Sequence, residues 1–343
     1  MLRWFEENGR ESDVVISSRV RLARNIRDYN FSLKLTDDDA RKMVNDLTAE
    51  IGKLEAVKDY SSYDFARLDD YQKMAMKERH VISDFLLGQK VAAGFVSKEE
   101  DVSIMLNEED HIRIQAYASG MNMEKAFELA DKTDDAIEQA VSYAYDEKYG
   151  YLTTCPSNVG TGMRASYMLH LPALSSNNRI SGLAAEVGRF GLVMRGVYGD
   201  SSRSYGDIYQ LSNQITLGIS EKEIIDNLSH IANQIISQER ALRRQYVINR
   251  KLSALDAVYR SYGVLRYARK MSLKDAMLLL SQVRLGLAQG LVMTDSETEF
   301  CVYQLMIGIQ PANLALMNEN ELSEEELEEY RAKFIRDNLP VIR

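Results

Sequence analysis

Residues 151–166 read Y-L-T-T-C-P-S-N-V-G-T-G-M-R-A-S, and this stretch constrains the chain more than any other. Its first four residues are β-prone, Cys155 and Pro156 stop the run, and residues 157–162 are turn formers. From Met163 to His170 the composition predicts the start of a helix. A strand, a loop of small residues and a helix N-terminus together suit an anion. The N–H groups at the helix start are unpaired, and the helix dipole favours negative charge. Arg164 adds a full positive charge there, and Cys155 ends the strand where its thiol can face the same cleft. Two plainer readings compete: the loop is only a turn, and the cysteine is a buried apolar residue.

Hydrophobic residues are 45% of the 343 and charged residues 27%, enough to fill and cover a core of one large domain or two. No apolar run reaches the ~20 residues that cross a bilayer. The opening M-L-R-W-F-E-E-N-G-R holds no apolar leader segment, so no membrane partner is expected. Cys155 and Cys301 cannot staple a chain of this length, which points to a reducing, cytoplasmic setting. The four histidines are scattered, so no zinc site or other protein-held metal is expected. A net charge of −9 and a pI near 5.2 exclude broad nucleic-acid binding, which needs a basic footprint. Against that acidic background, the cluster Arg19, Arg21, Arg24 and Arg27 stands out.

Residues 14–22, V-V-I-S-S-R-V-R-L, are predicted as a strand. Its alternation puts Ser17, Arg19 and Arg21 on one face and Ser18, Val20 and Leu22 on the other. A solvated strand face is the plain alternative for such an arginine pair. Thr36 and Asp39 cap a helix to about residue 54. A helix over 69–79 ends at His80, which by itself reads as structural. Strands at 90–96 and 102–106 join through S-K-E-E-D. An N-E-E-D turn then leads to a strand from about His111, with His111, Arg113 and Gln115 on one face. Glu108 and Glu109 thus sit at a hairpin tip beside an arginine, where ordinary solvated acids also occur.

Helices are predicted at 124–145 and 180–190, and strands at 191–198 and 208–217. The small polar loop 199–206 has the composition of a flap. Ser220 and Glu223 box the start of a long helix with an apolar stripe, running past Tyr246. Further helices follow at 254–270, 273–289 (capped by Ser272), 296–309 and 324–338 (boxed by Ser323 and Glu326). The expected fold is α+β over 1–250 and all-helical over 251–343, joined by the long helix.

Arg19, Arg21, Arg113, Arg164 and Arg195 lie on separate elements of the first part. Guanidinium forks match phosphate oxygens. Phosphoryl transfer asks a protein chiefly for positioning and opposing charge. Convergence of these arginines would suit a nucleoside triphosphate with its Mg²⁺. Neither G-x-x-x-x-G-K-[ST] nor H-R-D with D-F-G occurs, which disfavours P-loop enzymes and protein kinases of that type. Gly160-x-Gly162-x-x-Ala165 with Glu186 mimics a dinucleotide fingerprint, but no repeating βαβ pattern precedes it.

Four motifs occur in order: S-S-R-V-R-L-A-R-N from Ser17, N-E-E-D-H-I-R from Asn107, C-P-S-N-V-G-T-G-M-R from Cys155 and R-G-x-x-G from Arg195. Together they resemble the ATP:guanido phosphotransferases, the creatine- and arginine-kinase family. Small-molecule kinases of that family carry a helical domain of on the order of 100 residues before the first motif. Here the extra helical part follows instead, a layout similar to the bacterial protein-arginine kinases. The resemblance covers the whole chain, most specifically 14–217.

The resemblance implies an antiparallel sheet flanked by helices, then a helical C-terminal domain. It implies ATP, with Mg²⁺ held through the nucleotide. By motif match, Glu109 would be the general base and orienting fork, and Cys155 a thiolate beside the cationic acceptor. Arg19, Arg21, Arg113, Arg164 and Arg195 would bind phosphates, with Arg113, Arg164 and Arg195 also serving catalysis. Ser17, Ser18, Val20 and His80 would contact the nucleotide. So would Ala165, Ser166, Tyr167 and Met168, and, after Arg195, Gly196, Val197, Tyr198, Gly199 and Asp200. Asp200 stands where arginine-specific members have Glu; it keeps a second catalytic carboxylate on a side chain one methylene shorter. A C-terminal R-D-x-x-R-A motif of protein-arginine kinases is matched by L-E-E-Y-R-A, residues 327–332, which retains only Arg331 and Ala332. An acidic surface helix is expected there.

The implied activity is ATP-dependent phosphorylation of arginine side chains in proteins. The implied role is to mark repressors or damaged proteins for a Clp protease under stress, with an activating adaptor. The implied partners are proteins with exposed arginine, not nucleic acid or membrane. Two alternatives stand beside this: a free-guanidino kinase, and a nucleotide-binding regulator without catalysis, against which Glu109 and Cys155 both argue. Apolar residues in the last helical part would serve either a homodimer surface or a second core.

Overall fold

The alternating run near the N-terminus forms strand β1 (Val15–Arg24), which lies in the middle of an eight-stranded sheet. This computed structural model describes residues 2–200, 203–295, 300–318 and 322–343, the side chains of Asp200 and Arg203 excepted. The other strands are β2 (Ser61–Asp64), β3 (Ala93–Val96), β4 (Val102–Leu106), β5 (Ile112–Ser119), β6 (Tyr145–Asp146), β7 (Gly150–Tyr151), β8 (Met163–His170), β9 (Leu192–Gly196), β10 (Gly199–Asp200), β11 (Arg203–Ser204) and β12 (Ile208–Asn213). The sheet runs β2-β3-β4-β5-β1-β8-β12-β9, and every pairing in it is antiparallel. β6 with β7 and β10 with β11 form separate two-stranded hairpins.

The helices are α1 (Asp37–Ile51), α2 (Asp70–Glu78), α3 (Asp84–Leu87), α4 (Met123–Glu138), α5 (Pro172–Ser176), α6 (Ile180–Gly188), α7 (Glu221–Tyr267), α8 (Leu273–Ala288), α9 (Val302–Gly308), α10 (Pro311–Asn318) and α11 (Glu324–Asn338). One sheet face, carrying Val20, Leu22, Ile114, Ala116, Ala165 and Leu211, packs against α1, α4, α6 and the first half of α7. On the other, Tyr117, Met168 and Ile208 meet Trp4 and Phe5 and the apolar residues of α8, α9 and α11. The C-terminal apolar residues therefore complete a second core on the sheet itself. Among the described residues no helix is long and apolar enough to cross a membrane.

Several expectations change. Met163–His170 is a strand, not a helix, because it runs between β1 and β12 with nearly every side chain buried. The first of the central helices stops at Glu138, well before 145. The two helices predicted on either side of residue 250 are one element, α7, broken at Arg250 (φ −144°, ψ 47°). Of the helix predicted over 296–309, residues 296–299 lie outside the described residues, and α9 spans Val302–Gly308. α10 was not anticipated. The capping residues Thr36, Ser220, Ser272 and Ser323 all accept the expected backbone N–H.

Candidate active site

Directly opposed residues in an antiparallel ladder project to the same face. Across β1 and β8, Arg19 faces Ser166 and Arg21 faces Arg164. Across β1 and β5, Arg21 faces Gln115 and Ala23 faces Arg113. Across β12, Ser212 faces Ser166, while Gln210 faces both Met168 and Arg195. The register therefore puts Arg19, Arg21, Arg113, Arg164 and Arg195, drawn from four strands, on one face of the sheet.

Two cavities open on that face and share Arg21 and Arg164. The smaller, about 180 Å³, is walled by Glu108, Glu109, Asp110, Arg113, Cys155 and Ser157 among others. The larger, about 690 Å³, takes in Arg19, Arg195, His80, Tyr198 and Gln210. Arg19 is held by neutral partners: Nε donates to Ser166 Oγ (3.2 Å), Nη1 to Tyr117 Oη (3.2 Å) and Nη2 to Gln210 Oε1 (2.7 Å). The Nε atoms of Arg21 and Arg164 are buried and lack a partner among the described residues. Burial, then the neighbouring arginines Arg19, Arg113 and Arg164, pulls the Arg21 pKa well below its ordinary value. Burial and then Arg195 lower that of Arg164, opposed by the charge Cys155 can carry. Of the five, Arg113 has a carboxylate partner, Glu108.

The acidic turn is fixed from several sides. Buried Glu108 pairs with Arg113 and accepts the Glu109 N–H (2.6 Å). Asp110 Oδ1 accepts from Asn25 Nδ2 (2.7 Å) and from Thr154 N (2.6 Å), tying the turn to the loop that carries Cys155. Glu109 itself is half-buried and faces the smaller cavity. Burial, then Asp110 and Glu108, raises its pKa, against Arg113 and Arg164. Cys155 Sγ lies 3.1 Å from Ser157 Oγ. Thr216 Oγ1 pins the loop through the carbonyls of Ser157 (3.0 Å) and Val159 (2.7 Å). Gly160 (φ 112°) packs so closely that a Cβ there would lie 2.2 Å from the Thr216 carbonyl oxygen, which explains the small residue.

This chain matches the ATP:guanido phosphotransferase C-terminal catalytic domain over residues 42–242 and the "Protein-arginine kinase McsB C-terminal domain" over 249–343. It is 41% identical over 333 residues to a protein-arginine kinase of Caldanaerobacter subterraneus subsp. tengcongensis, covering 96% of this chain and 98% of that one. With that of Clostridium acetobutylicum it shares 39% over 341 residues, covering 99% and 100%. The chain belongs to the protein-arginine kinases of the ATP:guanido phosphotransferase family. Among solved structures, the duplicated taurocyamine kinase of Schistosoma mansoni, with bound transition state analog components, aligns at TM-score 0.62 and 25% identity over 70% of this chain and 35% of that one. A lombricine kinase aligns at TM-score 0.60 and 25% identity over 71% and 70%.

The kinase's structure sorts the residues singled out from sequence. Arg19, Arg21, His80, Arg113, Arg164, Met168, Arg195, Gly196, Val197, Tyr198, Glu109 and Cys155 all line one or other cavity. Ser166 supports Arg19. Strand parity turns Ser18, Val20, Ala165 and Tyr167 to the opposite face, a correction to the run-wise assignment. Ser18 Oγ donates to the Gly120 carbonyl (2.8 Å), Tyr167 Oη meets Ser229 Oγ (2.9 Å), and Val20 and Ala165 are core. Ser17 is 1% exposed and lines neither cavity. Gly199 begins the β10–β11 hairpin, and the Asp200 side chain lies outside the described residues. His111 is not on the cleft face: its Nδ1 accepts from Ile26 N and its Nε2 meets the Asn30 carbonyl, both at 2.9 Å.

The anion site at a helix N-terminus is corrected too, since a strand follows Gly162; arginine side chains, not helix N–H groups, line the cavity there. The same strand, in an antiparallel sheet, removes the dinucleotide reading. Arg331 is buried, and donates to the carbonyls of Ile309 and Met271, both at 3.0 Å. Sequence reasoning did not reach Asp110, Ser157, Lys77, Glu78, Gln310 or Pro311 as cavity walls. Asp110 lay inside a recognised motif, whereas the C-terminal residues carried no local signal.

Proposed function

We propose that this kinase transfers the γ-phosphoryl group of ATP to arginine side chains of proteins, with the nucleotide in the larger cavity and the acceptor guanidinium in the smaller. The observation that carries the reading is the run of arginines at the junction of the two cavities, largely without carboxylate partners among the described residues. Buried, uncompensated cations are costly, and a triphosphate offsets that cost where the phosphoryl group must move. Burial in the larger cavity also strengthens each arginine–phosphate attraction relative to water.

In this reading Arg19, Arg21, Arg164 and Arg195 grip the phosphates and Arg113 meets the moving group. Glu109 removes a proton from the acceptor guanidinium as its nitrogen attacks phosphorus. A P–N bond forms, the bond from the γ-phosphorus to the bridging oxygen breaks, and ADP leaves with that electron pair. The raised Glu109 pKa makes it a better base than an ordinary carboxylate. Cys155 faces the cationic acceptor, and by the family resemblance Asp200, whose side chain lies outside the described residues, supplies a second carboxylate. The cleft donors are cationic N–H groups, which fit phosphate oxygens; Mg²⁺ accompanying ATP would be held by those oxygens and would draw off their charge.

The wider reading is that phosphoarginine marks repressors or damaged proteins for a Clp protease in the cytoplasm under stress, with an activating adaptor. It includes a homodimer through Ile248 and Leu252, each 80% exposed beside the break in α7. The family match and the acceptor pocket support the chemistry. The physiological role rests on family resemblance.

The test is incubation of the kinase with labelled ATP and an arginine-rich protein, then acid. Label released by acid fits the P–N bond of phosphoarginine, and acid-stable label would sink the reading. Glu109→Gln is expected to abolish transfer and leave ATP binding largely intact.

A further inference from the structure

The C-terminal helices reach into the larger cavity, where Leu273, Gln310 and Pro311 form part of its wall. Three consecutive residues at the end of α2 hold them there. Glu78 accepts from Ala312 N (3.0 Å), Asn313 N (2.9 Å) and Asn313 Nδ2 (3.0 Å), capping the first turn of α10. Arg79 Nη1 donates to Asn313 Oδ1 (2.9 Å) while its Nε binds Glu100. His80 Nε2 lies 2.9 Å from the Tyr303 hydroxyl on α9, and that hydroxyl is 3.0 Å from Tyr198 Oη. Glu78, His80 and Tyr198 all line the same cavity. His80 takes φ 63°, a left-handed conformation that a non-glycine residue adopts only where its surroundings hold it.

Tyr303 does not line the cavity and is 1% exposed. Its hydroxyl nevertheless fixes two residues that do. Tyr198 lies three residues beyond Arg195, just past the end of β9. Trp4 packs at 6.0 Å from both the His80 and Tyr303 rings and stacks on Tyr117 at 4.3 Å. Tyr117 in turn accepts from Arg19. A continuous packed chain runs from the C-terminal helices to the arginines.

We infer that the C-terminal helices form the nucleoside end of the ATP cleft, and that Tyr303 is a positioning residue for the nucleotide, acting through His80 and Tyr198. This rests on the assignment of the larger cavity to ATP. The arginines of this wall suit phosphates. Beyond them Met74, Leu273 and Pro311, with the His80 ring and the charged Lys77, Glu78 and Asp84, offer apolar surface and polar groups for a nucleoside.

The decisive variant is Tyr303→Phe, which removes the hydroxyl and keeps the ring. Loss of a buried hydrogen-bond hub is expected to raise KM for ATP by roughly three- to tenfold, with KM for the arginine-bearing protein unchanged. A merely structural hydroxyl would lower the melting temperature and leave KM for ATP alone, and that result overturns the inference. A parallel measurement needs no variant. Trp4 is the chain's one tryptophan, so ATP added to the wild-type kinase should change its emission saturably, with a midpoint near KM. Emission indifferent to saturating ATP also overturns the inference. Wild-type transfer to arginine is the control: without it the functional reading fails, whereas intact transfer with an unaltered Tyr303→Phe KM defeats this inference alone.

Discussion

Arg21 and Arg24 sit three residues apart on β1, yet they belong to two different kinds of buried arginine. Arg24 is saturated. Its Nη2 and Nε bind Asp134 at 2.6 and 3.0 Å, its Nη1 donates to the carbonyls of Ala23 and Thr161, and its guanidinium stacks 3.5 Å over Tyr151. Arg243 is built the same way, with Glu239 at 2.7 Å and the carbonyls of Asp13 and His170 at 2.9 Å. Arg21 and Arg164 are the reverse, with buried Nε atoms left over and like charges as neighbours. Saturated donors lock elements together; the unsaturated ones are those proposed above to take the phosphates. An odd separation on a strand is what divides them, since it sends Arg24 to the opposite face.

The sharpest way to break this contrast is to truncate one member of each set. Arg21→Ala is expected to lower kcat/KM on the order of 10³-fold, because a buried cation proposed to grip the phosphates where the two cavities meet is lost. Its melting temperature should hold or rise, because a buried like charge is gone. Arg24→Ala should instead cost about 3–5 kcal/mol of stability by stranding Asp134, with turnover per folded molecule retained. Paired activity and denaturation measurements decide it. Equal destabilisation by both variants would erase the distinction.

Ligand stabilisation probes the reserved set next. ATP at 100 times its Kd should stabilise the wild type by about 2.7 kcal/mol. Arg21→Ala at the same ATP concentration should gain far less, while Arg243→Met should gain as much as the wild type wherever it folds. Differential scanning fluorimetry with and without nucleotide reads this directly.

The saturated set carries its own liability in His170. It is fully buried, its Nε2 meets Ser281 Oγ at 2.9 Å, and its Nδ1 has no partner among the described residues. Burial, then Arg284 and Arg243, holds its pKa well below 6.5. The unfolded chain therefore takes up a proton as pH falls through 6.5 while the folded chain does not, so stability is lost in that direction. Well below pH 6.5 this amounts to about 1.4 kcal/mol per pH unit. His170→Gln should flatten the decline by that slope in urea titrations between pH 7 and 5. An unchanged slope would mean the site is not dry.

How much of this was legible beforehand follows from the range of the forces involved. The face-sharing of Arg19 and Arg21 needed only the two-residue period of a strand. The capping boxes at Ser220 and Ser323 were equally local, and the acid turn beside Arg113 followed from two hairpin strands. Met163–His170 misled because Met, Arg, Ala and Leu favour helices; burial on both faces of a central strand overrode that preference. The same error hid which of residues 164–168 face the cleft. His111 was misplaced because its ring caps the 25–30 segment, a contact set by tertiary packing. Nothing near Tyr303 announces a partner 223 residues away.

Arg113 is the exception that sharpens the contrast, since it faces the cleft and yet has a carboxylate. Glu108 grips Arg113 and the Glu109 N–H at once, so one buried side chain positions both the arginine proposed to meet the phosphoryl group and the proposed base. Its charge also helps to raise the Glu109 pKa, after burial and Asp110. Glu108→Gln keeps the shape and removes the charge. A general base works deprotonated, so with its pKa lowered the acid limb of the pH–rate profile should move to lower pH. The turnover maximum should fall roughly tenfold as Arg113 loses its ionic anchor. A fall in rate with the limb unmoved would leave Glu108 a structural tie for Arg113 alone. A limb that moves upward would show that the freed Arg113 no longer offsets the charge of Glu109, and that the pair acts on the base mainly through the arginine.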